Sequence, residues 1–258
     1  MTIPRLHLFE MEDFHWFPKI IRNLMTDYLH FVETRFRLYE PIPALLKTLA
    51  EESGTAHVID LCSGGAGPVP AIDEDLREQG VQLQFTLTDK YPNLVAFQHA
   101  ADNSDGMIQF ESESVDVANV PGSLTGIRTI FNGLHHFRPE EAQAIFRDAV
   151  DAGQPIATFE FVERRAAAML PCFLIPLFVL VTTPAIRPRT FSRFLWTYPI
   201  PIVPLVTAWD GFVSHLRTYT PEELEVMTSP FPDYHWRTGR APVGKTGVRI
   251  TYLLGWPR

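Results

Sequence analysis

Cysteine is nearly absent from the 258 residues. Cys62 and Cys172 stand in different sequence contexts and supply neither a disulfide framework nor a ligand set for zinc. Basic charge is short as well. Lys and Arg total 22 against 30 Asp and Glu, giving a net charge of -8 and a pI near 5.6. A dedicated nucleic-acid binder is excluded, because no cationic excess exists to neutralise phosphates. The opening MTIPRLHLFEMEDFHWF lacks an uninterrupted apolar stretch, so no secretory signal is expected and a reducing cytosol is the expected compartment. No internal repeat is found, and no acidic cluster suggests a metal. Apolar residues, by contrast, are plentiful. A hydrophobic fraction of 46% with a mean hydropathy of -0.00 excludes disorder. The length allows one substantial core, read as a single α/β domain with an elaboration. The 22 prolines and 19 phenylalanines are unusual and point to an irregular apolar region.

Alternation organises the chain. Residues 14–51 read as helical, with Ile20, Ile21, Leu24, Tyr28 and Phe31 at three- and four-residue spacing until Pro41 and Pro43 break the pattern. A short helix over 44–52 follows. Apolar runs at 57–62, 82–89, 107–111, 126–134 and 155–161 read as strands. Helical segments stand between most of them, one opened by Pro139 in its first turn. This order predicts a doubly wound, mostly parallel sheet. Residues 235–243 and 247–256 flank Gly244-Lys245-Thr246 and read as a closing hairpin, which makes seven strands with an antiparallel last strand. Thr220, Pro221 and Glu223 form a capping box at the helix before it.

The informative stretch is VIDLCSGGAGP, 58–68, whose glycines lie between a strand and a helix. Such a turn lets backbone approach a ligand. Acidic and amide residues follow in order. Asp89 ends the second strand, where a carboxylate can accept both hydroxyls of a ribose; Asp116 lies just past the third; Asn132 closes the fourth. Each has a plainer reading: tight packing for Gly64, Gly65 and Gly67, a helix cap for Asp89, an Asx-turn for Asp116. Cys62 reads as a small turn residue, since no cation stands near it in sequence.

On these residues the chain resembles the class I S-adenosylmethionine-dependent methyltransferases, over roughly 55–162 and 218–257. Their D-x-G-x-G-x-G turn appears as Asp60-Leu61-Cys62-Ser63-Gly64-Gly65-Ala66-Gly67, with Cys62 and Ala66 at glycine positions. The segment Asn132-Gly133-Leu134-His135-His136-Phe137 looks like the motif after strand four, whereas the preceding GIRTI lacks an acid that many members carry. The resemblance implies a Rossmann-like fold and S-adenosylmethionine as cofactor. It implies that the turn meets the methionine part, Asp89 with Lys90 the ribose, and Asp116 with Val117 the adenine, while Asn132 and Gly133 complete the set. The division is then one methyltransferase domain, 1–258: a helical cover at 1–54, a cofactor core at 55–162, an apolar Pro-rich insertion at 163–217, and a closing helix and hairpin at 218–258. Two rivals stand beside methyl transfer: a nucleotide-dependent oxidoreductase, and a non-catalytic protein that binds the cofactor or a partner.

A base is needed only if the acceptor arrives protonated. His135 and His136 follow the fourth strand on the side where open α/β sheets bind ligands, and either can take a proton. Glu160, ending the fifth strand, can orient a histidine or the substrate. Trp16, Arg22 and Tyr28, and further on Trp209 and Arg217, are candidate substrate contacts. Their alternatives are an amphipathic helix stapled to the sheet and an Asp–Arg pair.

Between Arg165 and Arg187 lie 21 residues without a charge, near the roughly 20 needed for a membrane span. A crossing conflicts with strands that must rejoin one sheet. The return segment is broken by Pro199, Pro201 and Pro204, and Arg187, Arg189 and Arg193 at the tip would all have to cross. Two readings remain: a cap over an apolar acceptor, which is preferred, and a peripheral membrane or self-associating surface over 166–206. Either makes the acceptor a small apolar or amphiphilic molecule.

Overall fold

Short apolar runs ended by tight turns produce seven strands among the residues described, 3–258 of a computed structural model. They are β1 (His57–Asp60), β2 (Gln84–Leu87), β3 (Ile108–Phe110), β4 (Ile127–Phe131), β5 (Ile156–Glu160), β6 (Tyr234–Pro242) and β7 (Arg249–Pro257). The helices are α1 (Lys19–Arg35), α2 (Ile42–Ser53), α3 (Val69–Glu78), α4 (Leu94–Asp102), α5 (Pro139–Asp151), α6 (Ala166–Met169), α7 (Ile175–Thr182), α8 (Phe191–Thr197), α9 (Ile202–Arg217) and α10 (Pro221–Thr228). Two compact units result. One comprises Leu38–Phe161 with Thr220–Arg258; the other, the residues up to Arg37 with Val162–Tyr219.

The first unit holds the sheet, in the order β3-β2-β1-β4-β5-β7-β6. The first five strands pair in parallel, and β7 runs antiparallel to both β5 and β6, as expected from the sequence. The central strands are almost wholly buried, as in a parallel sheet covered on both faces. Phe131 stacks on Phe159 across β4 and β5, and Tyr39 sets its edge against Phe131. The hairpin closes at Val243, whose N–H donates to Val248 O. Far from that turn Gly255 pairs with Trp236, and a Cβ on it would lie 2.2 Å from the Trp236 ring.

Helix ends follow local chemistry. Pro139 opens α5, Glu140 and Glu141 fill its first turn, and Glu141 accepts from the Arg138 N–H at 2.7 Å. At α10 the expected box is complete: Glu223 N–H donates to Thr220 Oγ1, and Thr220 N–H to Glu223 Oε2. The helical reading of 14–51 needs correction. Only Lys19–Arg35 and Ile42–Ser53 are α-helical, because Pro18 sets the start of α1 and Arg37 turns left-handed at φ 46°. The boundary drawn at residue 54 also moves. Ile42, Leu46 and Leu49 are fully buried, and α2 packs on α3 and β7 as part of the sheet unit.

The second unit is helical. Phe17, Ile21, Leu24, Met25 and Tyr28 of the N-terminal part form a core with Val179, Ile186 and Val203. Residues 166–185 run as successive short helices, α6, two 3-10 turns and α7, interrupted by Pro171, Pro176 and Pro184. By length and composition alone the run suffices to cross a membrane.

Candidate functional site

The order of the sheet reverses between β1 and β4, with β2 and β3 on one side and β5 on the other. Ligands of open α/β sheets bind outside the carboxyl ends of the strands at such a switch point. The glycine turn leaves β1 there, and the Asn132–His136 segment leaves β4 beside it; a Cβ on Gly133 would touch Cys62 Cβ at 4.0 Å. Within the turn, Cys62, Gly64 and Ala66 hold φ of 62°, 53° and 75°, followed by Gly67 at 49°. The three alternating glycine positions of the motif thus keep the left-handed conformation even where two of them carry a Cβ. That conformation costs an L-residue about 1–2 kcal/mol. Space stands open beside the turn, since a Cβ on Gly64 would meet nothing within 4 Å.

A buried network holds the turn in place. Asp60 Oδ2 accepts from Ser63 Oγ at 2.6 Å and Oδ1 from Thr129 Oγ1 at 2.9 Å. Ser63 N–H donates to Thr88 O, and Thr88 N–H to Ser63 Oγ and Asp60 O. Burial pushes the Asp60 carboxyl up to about 7 against the two hydroxyl bonds, with the Asp89 charge adding to the rise. Thr88 and Thr129 escaped the sequence reading. Their signal was a hydroxyl at a buried position within an apolar strand run, where it needs a partner. Cys62 is exposed by surface area yet crowded by protein atoms. That desolvation, then Asp89, Asp60 and Asp116, pushes its thiol up to about 12, so it is no nucleophile at neutral pH.

Asp89 is placed by backbone. Its Oδ2 accepts from Gly64 N–H at 2.8 Å and its Oδ1 from Tyr91 N–H at 2.7 Å, which ties β2 to the turn after β1. Each carboxylate oxygen retains a second lone pair for a ligand hydroxyl. Asp116 accepts from Ala118 N–H and pairs with Lys90 Nζ at 3.0 Å. The Ala118 bond first, and then Lys90, hold its carboxyl below the ordinary range. Val117 beside it is a buried apolar wall. Asn132, left-handed at φ 48°, directly follows β4, its N–H donating to Phe159 O. Its Oδ1 is buried with no hydrogen-bond partner, an acceptor that a bound group would satisfy.

Glu160 and His135 meet as a buried pair. Glu160 Oε2 lies 2.7 Å from His135 Nδ1, and Oε1 accepts from His135 N–H at 3.2 Å. A carboxylate at Nδ1 selects the tautomer with its proton there and leaves Nε2 the basic nitrogen. The His136 ring lies 4.3 Å from that of His135.

The five residues expected to touch substrate lie in the helical unit, where Tyr28 and Arg217 are buried and Trp16 and Trp209 are exposed. Tyr28 belongs to the core, and burial raises its hydroxyl to about 12. Arg217 is buried. It pairs with Glu10 at 3.2 Å and Asp13 at 2.6 Å, not with Asp210, whose carboxylate instead accepts from the Met11 and Glu12 N–H groups. Arg22 donates to the carbonyls of Phe14 and Glu12, and Trp209 Nε1 to that of Phe9. Trp16 is exposed and stacked on Phe14. These side chains secure the N-terminal strap to its own unit.

No family model and no curated protein sequence matches the chain. Solved structures do. A plantazolicin methyltransferase, BpumL, in complex with a triazolic desmethylPZN analog and SAH, is similar at a TM-score of 0.55 and 11% identity, over 96% of this chain and 93% of that one. The same enzyme with SAH alone aligns at 0.52 and 13% identity, over 93% and 90%. LaPhzM aligns at 0.50 and 14% identity, over 88% of this chain and 57% of that one. With the strand order above, the fold is therefore that of the class I methyltransferases.

Proposed function

We propose that this protein transfers a methyl group from S-adenosylmethionine to a small apolar or amphiphilic acceptor. The observation that carries the reading is the turn itself. All three glycine positions are left-handed and Gly64 stands open, while Asp89 is tied to that turn and the orphaned Asn132 Oδ1 lies at the adjacent strand end. These features fit the cofactor. Asp89 would accept the ribose hydroxyls, Asp116 and Val117 would flank the adenine, and the turn with Asn132 and Gly133 would hold the methionine part. The antiparallel β7 and β6 at the edge fit an oxidoreductase poorly, since dinucleotide folds are parallel there.

When bound, the cofactor supplies a methyl group already activated as an electrophile. The chain's own work is then positioning, where most of the acceleration of a two-substrate displacement arises. Where the acceptor is a hydroxyl or amine, His135 Nε2 takes its proton, and Glu160 at Nδ1 stabilises the imidazolium that forms.

Calorimetric titration with S-adenosylhomocysteine and, separately, NADH tests the binding. The first should bind and the second should not; Asp89→Ala should weaken the first at least tenfold, about 1.4 kcal/mol. Tight NADH binding in its place would sink the reading. Labelled S-adenosylmethionine with cell extract, followed by mass spectrometry, then identifies the methylated product. His135→Ala should lose turnover while keeping cofactor affinity, and unchanged turnover across pH 6–9 would remove His135 from the mechanism.

A further inference from the structure

The helical run 166–185 is apolar all round but packs on one side only. Met169, Cys172, Val179 and Thr183 are buried, and they recur at three- to four-residue steps or multiples of them. Leu170, Phe173, Leu174, Leu177 and Val181 form the complementary stripe at the same spacing and are 60–72% exposed. Phe191, at the start of α8, is 81% exposed. Single exposed apolar residues are ordinary, but a stripe of five with no charge among them marks an interaction surface.

The charge at its end says which kind. Directly after the run, Ile186 and Arg187 line a groove of about 290 Å³ with His30, Phe31, Thr34 and Arg35. Asp27, the acid that also lines it, is paired with Arg193 at 2.6 Å. Arg35 and Arg187 have no ion-pair partner among the described residues. Residues 166–206 contain Arg187, Arg189 and Arg193 and no acid, in a chain whose net charge is -8. Arg193 is buried and taken by Asp27, so the cations that stand unpaired among the described residues where the apolar run ends are Arg187 and, across the groove, Arg35. Asp27, the acid in this groove, is already engaged by Arg193, so Arg35 and Arg187 call for an anion from outside the chain. A leaflet of anionic lipid supplies both halves, acyl chains for the stripe and phosphates for the groove.

We infer that the exposed stripe of 170–181 and the Arg35–Arg187 groove form a docking surface for an anionic membrane, on which the protein lies without spanning it. The inference stands apart from methyl transfer, and its test needs no turnover. The full chain is sedimented with vesicles of phosphatidylcholine alone, or with roughly one third phosphatidylglycerol. Binding is expected to the anionic vesicles at low salt and to fall as salt rises. Leu174→Ser with Leu177→Ser and Val181→Ser should weaken it at least tenfold without moving the thermal midpoint, because these side chains are exposed. Arg35→Gln and Arg187→Gln should each weaken it roughly fivefold. Failure to bind anionic vesicles at low salt, or equal binding to neutral ones, overturns the inference. So does a triple variant that binds as the parent does, or one that only converts a dimer to a monomer in sedimentation velocity; the last result would make the face a self-association surface.

Discussion

Single residues carry this site through what their backbones and immediate partners impose. Cys62 and Ala66 show that a glycine motif is a demand on φ before it is a demand on residue type: the turn keeps 62° and 75° at these two residues, and the Asp60–Ser63–Thr88–Thr129 network holds its first part. The same burial gives Asp60 a distinctive pH behaviour. Its folded pKa, about 7, lies above the ordinary carboxylate value, so the folded state binds its proton more tightly than the unfolded chain does. The stability this contributes is complete below about pH 4 and is lost as pH rises through 7. Denaturant titrations of wild type and Asp60→Asn between pH 5 and 8 should show this. Wild type should lose stability with rising pH by more than the variant, and parallel curves would contradict the assignment. From the sequence, Asp60, Asp89 and Asp116 could be placed because they end or follow the first three strands in order. Arg217 and Tyr28 could not, since a polar or aromatic residue on a helix looks the same whether it faces a ligand or an interior.

Elements add a second kind of information, the pairing of distant segments. The strand run 126–134 was legible from its apolar residues, but nothing in the sequence said what the Arg128 inside it would pair with. The structure supplies the partner. Arg128 is buried in β4 and pairs with Asp148 of α5, which also accepts from Val120 N–H, so one carboxylate pins strand, helix and loop. Asp148→Ala leaves that guanidinium buried and unpaired and should cost about 3 kcal/mol, measured as a shift in the urea midpoint with unchanged slope. A loss under about 0.5 kcal/mol would mean that water already solvates the arginine. Element boundaries were less legible than elements. The helix expected from residue 14 begins at Lys19, because the step from Pro18 into a helix depends on how the strap 5–14 is bonded, through Arg22 and Asp210, to residues close and far in the chain.

At the scale of the whole molecule the two units differ in kind. The sheet unit buries its apolar residues between layers, whereas the helical unit leaves a charge-free stripe on its surface. A chain with a pI near 5.6 and such a stripe has little repulsion to keep copies apart when its net charge vanishes. Turbidity against pH should peak near 5.6, and the triple serine variant should flatten the peak; an unchanged peak would show that charge neutralisation alone causes it.

The sequence alone determined the strand–helix alternation, the antiparallel closing hairpin, the capping box at Thr220 and the ordered acids at or after the strand ends. Each of these is written in local periodicity or in a turn that only a few residue types can make. Only the tertiary structure decided that His135 is held by Glu160, that Asp60 is locked by Thr129, that Arg217 pairs with Glu10 and Asp13 of the N-terminal strap, and which face of 166–185 is exposed. A helix that is apolar on every side has no pattern from which an inward face can be read. Its orientation is set by the residues that pack against it, and those stand far away in the chain.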